Sequence, residues 1–307
     1  MEEEKIDSRY LNPLTDFGFH RIFGTESSKE LLIDFLNEII REEGLITDIK
    51  YLPAELRGFT EKERKAVFDI FCTNEEGEYF IVEMQRAKQP YFRDRSVFYA
   101  SLPIRKQAPR GIWDFRLKAV YLVAVLDFIL FNEFEDDKDY VIEQVHLVRE
   151  RTKSFFSKKL NLIFIELPKF RKNEEELTTN VDIWLFLLKN MSKLENRPAS
   201  VQGKIFEELF QIAETNQLTK KEMREYKKSV LEYRDVRDSI ELAREEAREE
   251  GIKEGIERGI ERGIKRGIEK EKITIIQKCL QNNIPLEVIT YLTGFSKEKI
   301  NRYTINN

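Results

Sequence analysis

Apolar residues recur at three- and four-residue spacings between Phe17 and Ile40 (Phe19, Ile22, Phe23, Leu31, Leu32, Phe35, Leu36, Ile39), with a break near Gly24. This helical periodicity predicts two helices, the second capped by Ser27 or Ser28. Ala66 to Thr73 and Tyr79 to Gln85 are short runs rich in β-branched and aromatic residues, and Asn74-Glu75-Glu76-Gly77-Glu78 between them carries a glycine suited to a tight reversal. A β-hairpin is predicted there, followed by a helix from Tyr91 to about Lys106. Leu117 to Leu126 is a nearly unbroken apolar run, as a strand buried on both faces requires. Further strands are expected over Val141 to Arg149 and Leu160 to Glu166. Together these describe an α/β domain over residues 1–170.

After Lys172 the pattern becomes helical, with Val181-Asp182-Ile183-Trp184-Leu185-Phe186-Leu187-Leu188 as its most apolar piece and charged helices from Val201 to Glu250. Residues 171–250 read as a helical region. Next comes an internal repeat of period four: Gly251, Gly255, Gly259, Gly263 and Gly267, each followed by Ile and two charged residues. Each glycine inside a helix costs about 1 kcal/mol relative to alanine, so five of them need a reason. Two stand open: a small-residue stripe that lets helices of two copies pair, or a loosely helical spacer over residues 251–272. Residues 273–307 show helical patterns over Ile273 to Asn282 and Pro285 to Leu292 and a third start at Lys297. They form a small tail that resembles a minimal helix-turn-helix and serves equally well as a docking element.

At 307 residues, 41% of them hydrophobic and 22 of them Phe, the chain can bury a substantial core. Its 52 Lys and Arg nearly cancel its 56 Asp and Glu, so any nucleic-acid signal must lie in how charge is distributed. Two cysteines, Cys72 and Cys279, and two histidines, His20 and His146, are too few for a disulfide framework or a structural zinc site. Met1-Glu2-Glu3-Glu4-Lys5 lacks the basic start and apolar run of a secretion signal, and no stretch approaches the roughly 20 apolar residues that span a bilayer. A soluble, cytoplasmic protein without a membrane role is expected.

The chemistry concentrates in the hairpin. Side chains alternate across a strand, so Glu83 and Gln85 share one face while Val82 and Met84 take the other. Asp69, between Phe68 and Ile70, is brought beside the Glu83 strand by the turn. Two carboxylates on one partly buried face repel and are costly to desolvate unless a cation sits between them. Mg²⁺ suits such a pair, since it takes one or two carboxylates with waters and substrate phosphate, and it can activate a water against a phosphodiester. The competing reading is an ordinary solvated hairpin face.

Asp69, a hairpin and then Glu83-x-Gln85 resembles the pattern of the PD-(D/E)XK nuclease superfamily. Leu11-Asn12-Pro13-Leu14-Thr15-Asp16-Phe17-Gly18-Phe19-His20-Arg21-Ile22-Phe23-Gly24 is similar to the opening signature of its recombination-promoting (Rpn-type) transposase branch. The likeness continues through Phe92-Arg93-Asp94-Arg95-Ser96-Val97-Phe98-Tyr99-Ala100-Ser101, the Asp182 to Asn190 helix and the glycine repeat, and so covers nearly the whole chain. The resemblance implies a restriction-endonuclease-like fold, with a mixed central sheet flanked by helices. It further implies Mg²⁺-dependent DNA cleavage, with Mn²⁺ able to substitute, and a link to recombining or mobile DNA. On the matching positions, Asp69 and Glu83 become metal ligands, Gln85 the third motif residue and Asp16 the acidic group of the first helix. Gln85 stands where Lys is commonest in the superfamily; an amide can orient a water but cannot stabilise a developing anion as an ammonium does. His20 stands where the branch often has Lys, and it has no assigned role.

Between Arg86 and Lys118 lie nine Lys and Arg, Arg110 among them, against Asp94 and Asp114, while Glu133 to Glu143 is mostly acidic. Phosphate contacts dominate DNA affinity, so Arg86, Lys88, Arg93, Arg95 and Tyr99 are the candidate DNA-binding residues. The alternatives are a solvated basic face, and for Asp16 a simple helix cap. A non-catalytic DNA-binding or assembly protein on a degenerate nuclease fold is the competing function. A cut-and-paste transposase with a DDE triad lacks the necessary spacing here.

Overall fold

The computed structural model describes residues 8–40, 45–56, 66–108 and 113–302. Two helices, α1 (Asp16–Phe23) and α2 (Lys29–Ile39), precede a six-stranded mixed sheet of β1 (Ile49–Tyr51), β4 (Ile70–Asn74), β5 (Tyr79–Gln85), β6 (Val120–Leu126), β7 (Ile142–Val148) and β8 (Phe155–Glu166). A separate two-stranded piece joins β2 (Glu55–Leu56) to β3 (Ala66–Val67), and α3 (Phe92–Lys106) connects β5 to β6. Helices α4 (Asn180–Asn190), α5 (Lys204–Ala213), α6 (Lys220–Gln281), α7 (Leu286–Thr293) and α8 (Lys297–Asn301) complete the chain.

The sheet order is β1-β4-β5-β6-β8-β7, with β5, β6 and β8 parallel and the other neighbours antiparallel. Alternation along the central strands sorts their side chains into two cores. Phe80, Val82, Met84, Tyr121, Val123 and Val125 face the core shared with α1, α2, α4 and α5, whereas Ile81, Leu122, Ala124 and Leu126 face the α3 side. Every residue of β6 is buried, which is why that strand reads as a continuous apolar run rather than an alternating one. This is the restriction-endonuclease-like α/β arrangement that the hairpin motif implied.

Helix α4 belongs to the first of these cores. Trp184 is buried against Phe23, Phe35 and Phe206, at ring-centroid distances of 5.6, 5.5 and 5.4 Å, and its indole N–H donates to Asp34 Oδ1 at 2.7 Å. Its start is fixed by a capping box: Thr179 Oγ1 accepts from the Asp182 N–H at 3.1 Å while the Asp182 carboxylate accepts from the Thr179 N–H.

By its contacts the chain divides into two units, one ending at Ser239 and one from Ile240 onward. In the second unit the five repeat glycines are helical, and a Cβ added to any of them would meet nothing within 4 Å. The isoleucines that follow them, Ile252, Ile256, Ile260, Ile264 and Ile268, are all exposed. The tail closes on Ile276, Ile289 and Ile300, packed with Phe295, and Gly294 ends α7 at φ 72°, a left-handed position that favours glycine.

Among the described residues no helix is long and apolar enough to cross a membrane. Arg110 and the first seven residues lie outside the described ones.

Candidate active site

The carboxyl ends of β5, β6 and β8 lie level, Gln85 opposite Leu126 and Leu126 opposite Glu166. At this edge the hairpin register Ile70↔Val82, continued by one residue, sets Asp69 opposite Glu83. Asp69 is not within a strand as the sequence suggested; it occupies the bend between β3 and β4. There its Oδ2 accepts the Met84 N–H at 2.7 Å, and its own backbone N–H supports the Glu83 carboxylate. Main-chain N–H groups thus help to align both acids.

Their surroundings differ. Glu83 is buried, and burial together with the neighbouring Asp69 charge pushes its pKa up to about 8. Asp69 has one side open to solvent but is crowded by protein on the others; that crowding raises its pKa, against the opposing pull of the Met84 N–H and the positive charges of Arg86 and Arg95. Glu83 Oε1 is buried without a hydrogen-bond partner. A buried carboxylate oxygen lacking a donor is costly unless protonated or bound to a cation. The chemistry of the pair therefore fits a divalent ion, which Asp69 and Glu83 would hold. Among the described residues no cluster of three or more acidic, His or Cys side chains supplies a fuller cage, and two carboxylates are what Mg²⁺ needs when phosphate and water complete its shell.

Both ends of the Gln85 amide are engaged. Its Nε2 donates to Glu83 Oε2 at 3.2 Å, and its Oε1 accepts from Arg95 at 2.7 Å. The amide thus links Glu83 to a guanidinium, a relationship hidden in the sequence because Arg95 lies ten residues away on α3.

Asp16 does not cap its helix; Thr15 does, its Oγ1 accepting the Gly18 N–H at 3.0 Å. Asp16, mostly exposed, pairs instead with the largely buried Arg86 just beyond β5. The opening signature builds this placement. Asn12 Oδ1 accepts the Leu14 N–H, Thr15 Oγ1 donates to Asn12 O, and Gly18 approaches so closely that an added Cβ would sit 2.0 Å from Asn12 O. Helix α6 clamps the same turn: the Asn12 N–H donates to the Tyr226 hydroxyl at 2.9 Å and the Phe17 N–H to Ser229 Oγ at 3.2 Å. One turn further on, the Tyr233 hydroxyl donates to Asp127 Oδ2 at 2.8 Å, and the Asp127 N–H donates to Gln85 O at 2.9 Å. These α6 contacts were not legible in a sequence read as a string of charged helical residues.

Of the basic candidates, Lys88 is exposed and Arg95 half-buried. Arg93 points elsewhere: it pairs with Glu133, donates to Leu130 O at 3.1 Å and lies 4.6 Å from the Phe131 ring centroid. Tyr99 packs edge-on against Phe68 at 5.3 Å and carries Arg95 over its ring at 5.7 Å. His20 is exposed on the last turn of α1. Sequence reasoning also missed Glu166. It is fully buried, bonded to Lys169 Nζ at 2.5 Å, and accepts the backbone N–H groups of Leu130 and Phe131, so it holds the strand end that faces α3.

An α/β sheet with paired carboxylates and an E-x-Q at the carboxyl edge of a hairpin defines the PD-(D/E)XK class. The model of the PD-(D/E)XK nuclease family transposase matches residues 13–243, and the chain belongs to that family. The family associates it with nucleases and mobile elements. No curated protein and no solved structure gives a significant match.

Proposed function

We propose that this protein is a Mg²⁺-dependent DNA endonuclease acting on recombining or mobile DNA in the cytoplasm, with Asp69 and Glu83 holding the cation and Mn²⁺ able to replace it. The observation that carries the reading is Glu83 Oε1: a carboxyl oxygen, buried beside a second carboxyl group, with no hydrogen-bond partner. When bound, the ion lowers the pKa of a water and neutralises charge gathering on the scissile phosphate.

The chain's own residues do the rest. Asp69 presents its carboxylate toward solvent while Met84 N–H fixes its orientation. Gln85 holds Glu83 Oε2 through its amide N–H, leaving Oε1 for the cation. The Asp16–Arg86 pair closes one flank of the site. Lys88 and Arg95 meet the DNA backbone, and Tyr99 keeps the Arg95 guanidinium in place. Arg86 contributes its charge from within its ion pair, and Arg93 contributes less because Glu133 already holds it. The exposed isoleucine stripe beside the glycines supports self-association of two copies through that helix.

Cleavage of supercoiled and linear DNA by wild type and Glu83→Ala, with Mg²⁺, Mn²⁺, Ca²⁺ or EDTA, tests the proposal. Metal-dependent cutting by wild type alone supports it. Equal cutting by both places the activity elsewhere, and salt-dependent binding without cutting by either leaves a DNA-binding protein on a nuclease fold.

A further inference from the structure

We infer that Arg95 supplies, from α3, the positive charge that Gln85 cannot, and that it is the catalytic cation that contacts the scissile phosphate. The inference rests on the nuclease reading above and assigns a role within it. An amide at the third motif position has no charge, yet phosphodiester hydrolysis gathers negative charge on the phosphoryl oxygens and is accelerated mainly by preorganised donors aimed at it.

The geometry puts a cation in reach. Arg95 Nη2 donates to Gln85 Oε1 at 2.7 Å, and Gln85 Nε2 donates to Glu83 Oε2 at 3.2 Å, so guanidinium, amide and carboxylate form one chain. The guanidinium is also preorganised. Gln89 takes its other terminal nitrogen, and the rings of Phe92 and Tyr99, at i−3 and i+4 on the same helix face, lie 5.0 and 5.7 Å from its central carbon. Its two side-chain partners are neutral amides, so its charge is not spent on a carboxylate. The neighbouring arginines differ in this respect: Arg86 pairs with Asp16 and Arg93 with Glu133. A guanidinium has five N–H groups in a planar fork, and those not used on the two amides are free for phosphate oxygens. It keeps its proton throughout; it donates hydrogen bonds and transfers nothing.

The test uses full-length wild type, Arg95→Ala, Arg95→Met (which keeps an apolar stem against Phe92 and Tyr99), Gln85→Lys and the double variant Gln85→Lys/Arg95→Ala. Single-turnover cleavage, DNA affinity in Ca²⁺, Mn²⁺ affinity by paramagnetic resonance and thermal melting are read for each. The expected result is a single-turnover rate lower by about 100- to 1,000-fold in both Arg95 variants, the range for loss of one preorganised donor. DNA affinity should fall by less than about tenfold, since one phosphate contact among several is lost. Mn²⁺ should bind at least as tightly, because a positive neighbour has been removed. The double variant should recover about tenfold or more over Arg95→Ala, as an ammonium returns at the motif position. Any one of three results overturns the assignment: Arg95→Met cleaving as fast as wild type, a loss confined to DNA affinity, or no recovery in the double variant. A wild type that fails to cleave with any of the metals removes the nuclease reading and this assignment together, whereas a fast wild type beside an equally fast Arg95→Met removes this assignment alone.

Discussion

Asp69 Oδ2 accepts the Met84 backbone N–H at 2.7 Å, so the more exposed of the two acids is aligned by the strand that carries the buried one. The bond ties the position of one carboxylate to the register of the other. In the protein without metal, this arrangement crowds two carboxyl groups in a desolvated place, and Glu83 answers by holding its proton.

That strain has a pH signature. The Glu83 pKa is raised, so the folded state holds a proton that the unfolded chain releases. Stability therefore falls as pH rises from the unfolded carboxylate range toward about 8 and levels off above it. Glu83→Gln removes the titration while keeping the shape. In EDTA it should gain on the order of 1–3 kcal/mol over wild type at alkaline pH and nothing at pH near 4. Urea unfolding at the two pH values measures this, and an equal effect at both would contradict it.

Lys88 and Arg93 separate two kinds of basic residue. Lys88→Ala should weaken binding of duplexes of any sequence and reduce the salt slope by about 1. Arg93→Ala should leave the salt slope nearly unchanged, because Glu133 already neutralises that guanidinium. Fluorescence anisotropy across a salt series distinguishes them, and equal slopes for both variants would mean that the Arg93–Glu133 pair opens on DNA.

Gly18 tests the opening turn. A Cβ there would lie 2.0 Å from Asn12 O, and backbone cannot yield as a flexible side chain can. Gly18→Ala should destabilise by about 2–4 kcal/mol. It should also displace Asp16 from Arg86. A melting temperature equal to wild type would show that the turn is looser than its contacts indicate.

The repeat glycines predict an opposite sign. With open space at all five Cβ positions, Gly251, Gly255, Gly259, Gly263 and Gly267 changed together to Ala should raise helix stability, by about 1 kcal/mol per position. If their smallness serves close pairing of two copies, sedimentation should move toward monomer at the same time. A variant that is both more helical and still dimeric would assign pairing to the exposed isoleucines alone.

Strand β6 was legible in the sequence because burial on both faces leaves an unmistakable apolar run, and α1 and α2 were legible because one buried face imposes a three- to four-residue period. The hairpin pair was legible because Asp69 and Glu83 each lie seven residues from Glu76, in the polar turn between the two runs. Strand order was not, since β8 pairs with β6 and places β7 at the edge by a connection that carries no local signal. Arg95 was visible as a basic residue but not as the partner of Gln85, and Arg93, two residues before it, turned out to serve Glu133. A helix puts neighbours in sequence on different faces, so charge counted along the chain could not separate them. Thr15 rather than Asp16 caps α1 for a similar reason: both residue types suit the position, and only the backbone decides.

The clamp by Tyr226, Ser229 and Tyr233 on the first turn and on Asp127 has a consequence during synthesis. The opening segment leaves the ribosome more than two hundred residues before the side chains that hold it. A nascent chain halted short of Tyr226 has its acidic hairpin already made but its first helix still unpinned. Completion of the site thus waits on translation of nearly the whole nuclease unit, and a premature stop before that point would release a polypeptide whose carboxylates lack their finished frame.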